Sequence, residues 1–167
     1  MTDGYKRFIL EMMKRYIYIL LAAISAFVLY GCSKEEAPLP VDKGLAGEWV
    51  LSSWNGTAPG EDFSVYMAIR EDGTFDIFEK VVTPVYVRYS GTFTADGTTF
   101  SGTYNDGRPL NATYGYELGD DGNSLTMTAS GSVEDVCVYT RTDIPDDVLS
   151  ASEAGGTKSG TDIPRFL

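Results

Sequence analysis

Residues 85–107 read VYVRYSGTFTADGTTFSGTYNDG, two runs in which large apolar side chains alternate with polar ones on either side of Asp96-Gly97. A period of two residues belongs to a strand with one buried face. Asp-Gly supplies the positive φ that a tight hairpin turn demands, so the two runs are adjacent antiparallel strands. The same arrangement recurs outward along the chain, at Asp72-Gly73, Asp106-Gly107 and Asp121-Gly122. From Gly47 to Arg141 no stretch carries a helical period, and the pattern predicts eight strands over about 47–54, 63–70, 74–80, 85–95, 99–105, 110–118, 123–130 and 135–141.

Alternation assigns each strand an inner face, for example Phe63, Val65, Met67 and Ile69 on the second and Tyr114, Tyr116 and Leu118 on the sixth. A meander with one apolar face must cover it, and eight twisted strands do so by closing on themselves, which also removes exposed edges. The fold class expected is therefore all-β, an eight-stranded antiparallel up-and-down barrel over residues 47–142. A two-sheet sandwich is the competing architecture, but it needs longer crossing connections than most of these turns allow. Two segments flank the barrel without joining it: a tether over 32–46 containing Pro38 and Pro40, and a Gly-, Ser- and Asp-rich mobile tail over 143–167. Docking of the apolar Phe166-Leu167 pair on the barrel is a minor alternative for the tail.

The N-terminal part reads as an address. Lys14-Arg15 precedes the apolar run Tyr16–Tyr30, which is shorter than the roughly 20 residues of a spanning helix and fits a cleaved signal peptide over 1–31. Asp3 and Glu11 are unusual in such a leader, and translation from Met12 or Met13 would remove them. The tetrapeptide Leu29-Tyr30-Gly31-Cys32 resembles the bacterial lipobox, which implies a diacylglycerol on the Cys32 sulfur and attachment to a membrane. Ser33-Lys34-Glu35-Glu36 resembles the short acidic signal that sends some lipoproteins to the outer face of the outer membrane.

Composition narrows the chemistry. Without residues 1–31, nine basic side chains face twenty-two acidic ones, a net charge of −13 that disfavours nucleic acid and anionic headgroups. With Cys32 acylated, Cys137 is the remaining thiol and reads as a small buried hydrophobe. The sequence holds no histidine, so the usual general base, the usual zinc ligand and the Ser-His and Cys-His nucleophile pairs are missing. Asp120, Asp121 and Asn123 form a turn too tight to surround a calcium ion. No enzyme, cofactor or metal is expected.

Gly47-Glu48-Trp49 at the start of the first strand, with Tyr139-Thr140-Arg141 closing the last, is similar to the pairing of the lipocalins and their calycin relatives. The resemblance covers about residues 45–142. It implies that Arg141 packs over the Trp49 ring to close the barrel, and that the barrel mouth binds a small apolar or amphipathic molecule. The domain is shorter than a full lipocalin, lacks the family's disulfides and has no evident helix after the barrel. A barrel of eight strands is either filled by side chains or holds one small ligand. The candidate ligand-binding residues are Met67, Phe93, Tyr104, Tyr114 and Tyr116, the tyrosines placed at the open end. The alternative is a filled barrel acting as a cell-surface protein- or glycan-interaction module, including protease inhibition, through outward aromatics such as Trp54, Tyr66 and Tyr86.

Overall fold

A computed structural model describes residues 40–131, 135–155 and 164–167, all within the unit Leu39–Leu167. The readings made on Cys32, on the signal peptide 1–31 and on the first part of the tether lie outside the described residues. Eight strands form the barrel: β1 (Gly47–Trp54), β2 (Ser64–Ile69), β3 (Thr74–Lys80), β4 (Val87–Ala95), β5 (Thr99–Tyr104), β6 (Tyr114–Leu118), β7 (Ser124–Ala129) and β8 (Val136–Arg141). Each pairs antiparallel with its successor, and β8 returns to pair with β1, so the all-β, up-and-down barrel is closed. Closure leaves no separate second sheet, which removes the sandwich.

The Asp-Gly turns work by a different device from the one the dipeptide suggests. Only the glycines, Gly73, Gly97, Gly107 and Gly122, have positive φ, while each aspartate folds its carboxylate back to accept the backbone N–H two residues on. An Asx-type cap on the turn leaves a single residue to take the left-handed conformation, and glycine does so without steric cost.

Both flanking segments join the barrel, contrary to expectation. Residues 40–46 are a lid over the end where the β2–β3, β4–β5 and β6–β7 turns gather. A 3₁₀ turn, Lys43–Leu45, is capped by the Asp42 carboxylate, and Leu45 is buried in the core. The Ala95 N–H donates to the Pro40 carbonyl at 2.7 Å, and the Trp49 indole N–H donates to the Leu45 carbonyl at 3.0 Å.

The tail expected to be mobile is, in its described parts, a helix, a strand and a plug. Outward-facing Ala68 on β2 and Phe78 on β3 are covered by Ile144 and by Val148 of helix α1 (Asp146–Ala151), with Tyr66 and Tyr86 packed at the edge. Burying side chains of that size is worth roughly 1.5–3 kcal/mol each, which outweighs the disorder suggested by the segment's average composition. Strand β9 (Glu153–Ala154) then pairs parallel with Val87 and Arg88 of β4, a stretch of β4 that extends past its pairing with β5.

Candidate functional site

The lidded end is built around Trp49, fully buried at the register position where β1 meets β8 opposite Arg141. The Arg141 guanidinium carbon lies 4.2 Å from the Trp49 ring centroid. Its nitrogens donate to three carbonyls, those of Ala46 at 2.8 Å, Gly122 at 2.9 Å and Gly44 at 3.2 Å. One side chain therefore ties the lid, the first strand and the β6–β7 turn together by cation–π contact and charge-assisted hydrogen bonds. Gly47 is required beside it: φ is +145°, and a Cβ there would stand 2.0 Å from an Arg141 nitrogen.

The interior is a packed core. Met67 and Phe93 are almost completely buried, and the Phe93 ring stacks on Phe100 at 4.9 Å. The glycines at 91 and 102 leave no void, because the Phe75 ring fills the space where a Gly91 Cβ would come within 2.6 Å of it. Among Met67, Phe75, Ile77, Phe100 and Leu110 there is no room for a water molecule, and the last of that space is taken by Leu167, a residue outside the barrel strands. The Tyr139 hydroxyl is fully buried beside the Cys137 thiol and near Tyr114. Burial also pushes the Cys137 thiol up to about 12, so it stays protonated and inert.

At the end opposite the lid, three residues of the C-terminal segment enter the barrel mouth. Leu167 is 1% exposed, and its carbonyl accepts a hydrogen bond from the Tyr104 hydroxyl. The Phe166 N–H donates to the Glu79 carboxylate at 3.0 Å, and its ring stands edge-on to Trp54 and Phe63, both 5.5 Å away. The Arg165 guanidinium lies 4.3 Å from the Tyr104 ring and 4.7 Å from Tyr89, and forks onto the Asp106 carboxylate. Its carbonyl accepts from the Asn111 side-chain amide at 2.9 Å. A cleft of about 220 Å³ runs along this anchor between β4, β9 and the loop after β5, with Arg165 and Asp106 in its wall.

Glu79 is the one charged side chain in the buried set among the described residues, at 3% exposure. Burial pushes its carboxyl up to about 7, against the lowering pull of the Phe166 N–H and the Arg165 charge. The Arg165 guanidinium, hydrogen-bonded to Asp106, holds that carboxyl down at about 2.

The residues named from sequence separate between the two ends. Tyr104 lies at the mouth, and Tyr114 points to the buried Cys137–Tyr139 region. Tyr116, expected at the open end, is at the lidded one: its hydroxyl donates to Asp42 at 2.9 Å and accepts from the Gly97 N–H at 2.8 Å. The sixth strand runs downward from Tyr114, so two residues carry its side chain to the lid. Tyr66 and Tyr86, expected as outward contacts, are half-buried under α1, whereas Trp54 is 40% exposed at the rim, stacked on Phe63. Sequence reading missed Glu79, although it stands in phase with inward Phe75 and Ile77 and a charge at such a position is a signal in itself. Compared with known proteins, the chain matches no family model, no curated protein sequence and no solved structure.

Proposed function

We propose that this chain is a lipid-anchored envelope protein of lipocalin-like type, a binding module rather than an enzyme, whose barrel mouth receives a small apolar or amphipathic group. The observation that carries this reading is Leu167: the barrel's own strands leave one place in the core unfilled, and an aliphatic side chain from outside the barrel completes it. A ligand would take that place, not an open cavity. Lipidation at Cys32 and residence in the outer membrane rest on the sequence motifs, and the charge of the mature chain argues against a nucleic-acid partner.

Native mass spectrometry of the full chain, extracted from membranes of a Gram-negative host, tests the ligand: a reproducible added mass that is lost on organic extraction supports it. Folded protein that remains bare in a lipid-rich extract, even with Leu167→Ala, would overturn it. Radiolabelled palmitate incorporated by the full chain and not by Cys32→Ser tests the anchor. The exposed Trp54, stacked on Phe63 and touching Phe166 at the rim, supports a second reading in which this aromatic cluster contacts a surface protein or glycan.

A further inference from the structure

The attachment of residues 165–167 differs in kind from that of β9. Glu153 and Gly155 join β4 through backbone hydrogen bonds, Glu153 N–H to the Tyr86 carbonyl at 2.9 Å and Gly155 N–H to the Arg88 carbonyl at 2.7 Å. Among the described residues no backbone–backbone hydrogen bond reaches 165–167. Three side chains of the barrel read the main chain there instead: Asn111 on the Arg165 carbonyl, Glu79 on the Phe166 N–H and Tyr104 on the Leu167 carbonyl. Each of the three side chains also has its own receiver. Arg165 sits against two tyrosine rings and forks onto Asp106, Phe166 meets the Trp54–Phe63 pair edge-on, and Leu167 enters the core. Main-chain groups satisfied by side chains, with a separate pocket for each residue, describe a receptor holding a peptide more closely than a strand completing a sheet.

We propose that the barrel mouth is a peptide-recognition site, and that Arg165-Phe166-Leu167 is its occupant in cis, displaced by a peptide presenting a cation, an aromatic and an aliphatic residue in succession. This deepens the reading that the mouth receives an apolar group, on which it rests, by naming the ligand class. A charge-assisted fork set against two rings selects Arg over Lys at the first position, because the planar guanidinium both stacks on the rings and forks onto the carboxylate. Burying Leu167 at 1% exposure makes the third position aliphatic and size-limited. A tethered occupant has an effective concentration on the order of millimolar, so a free competitor binds the intact chain far more weakly than a chain with the mouth vacated.

The test uses the full chain, a variant lacking residues 164–167, and a full-length Arg165→Ala/Leu167→Ala variant that keeps the chain length should the deletion not fold. Circular dichroism establishes that each is folded. The probe is the heptapeptide acetyl-TDIPRFL-amide, blocked at both ends, with its arginine-to-glutamate counterpart as control, titrated by calorimetry. Vacated variants binding the first peptide at least about tenfold more tightly than the intact chain does, and the second at least about tenfold more weakly than the first, is the expected result. Folded variants that bind neither peptide, or both alike, overturn the proposal. An uncharged apolar fluorescent probe, N-phenyl-1-naphthylamine, separates the two readings. Uptake of the dye without the peptide overturns peptide recognition and leaves the small-ligand reading standing. Peptide binding without dye uptake supports peptide recognition and narrows the mouth's apolar occupant to a peptide, and binding of neither removes both.

Discussion

Replacing Glu79 by Gln should abolish a slope in stability against pH that the wild-type protein shows between about pH 4.5 and 7. Glu79 has a carboxyl near 4.5 when exposed and about 7 when folded, because burial disfavours its charge more than the Phe166 N–H and Arg165 favour it. The folded state therefore holds one more proton than the unfolded state across that interval. Its contribution is fully present below pH 4.5 and is lost as pH rises through 7. At 1.36 kcal/mol per unit, the loss is about 3 kcal/mol. Asp72, Asp96, Asp106 and Asp121 titrate lower in the folded state and act with the opposite sign, their stabilisation vanishing as pH falls below about 4, outside the interval. Urea unfolding followed by tryptophan fluorescence, on wild type and Glu79→Gln from pH 4.5 to 8, isolates the effect as a difference between the two proteins. The Gln variant should gain on wild type by about 3 kcal/mol over that range. A difference that stays constant with pH would refute the assignment of Glu79 as a buried, proton-holding group.

Trp49→Ala and Arg141→Ala should each destabilise the domain, and the double variant should lose less than their sum by about 0.5–2 kcal/mol, the worth of a guanidinium over an indole; strict additivity in chemical denaturation would count against the contact. Gly91→Ala places a Cβ 2.4 Å from the Thr103 carbonyl oxygen and 2.6 Å from the Phe75 ring, so it should cost about 1–3 kcal/mol. Gly115→Ala, whose nearest neighbour is 3.9 Å away, should be close to neutral in the same urea titration. Leu167→Ala should lower stability by about 2 kcal/mol by emptying the last core position, while Leu149→Ala on the exposed side of α1 should change it by less than about 0.5 kcal/mol. Equal melting temperatures for those two variants would mean that the segment does not dock.

Much of the barrel was legible before any coordinates. The alternation in residues 85–107 and the four Asp-Gly pairs located the hairpins, since each signal acts over a few residues, and the resemblance carried by Gly47-Glu48-Trp49 and Arg141 implied the seam. The end at which Tyr116 stands is not legible in the same way: alternation gives the face a side chain points to, but not how far along the barrel it stands. The register of a short, sheared β6 against its neighbours decides that height.

Sequence alone determined the all-β class, the eight barrel strands and the absence of histidine, because periodicity, turn residues and composition are properties of neighbours in the chain, whereas the Trp49–Arg141 seam was implied by a family resemblance. Only the tertiary structure decided what fills the mouth. Glu79, Tyr104, Asp106, Asn111 and Arg165 come from separate segments, and their meeting depends on long-range packing. A segment rich in Gly, Ser and Asp reads as tail when averaged over its length, yet a few apolar side chains within it suffice to dock it once the barrel offers a covered face at Phe78 and one unfilled place in the core at Leu167.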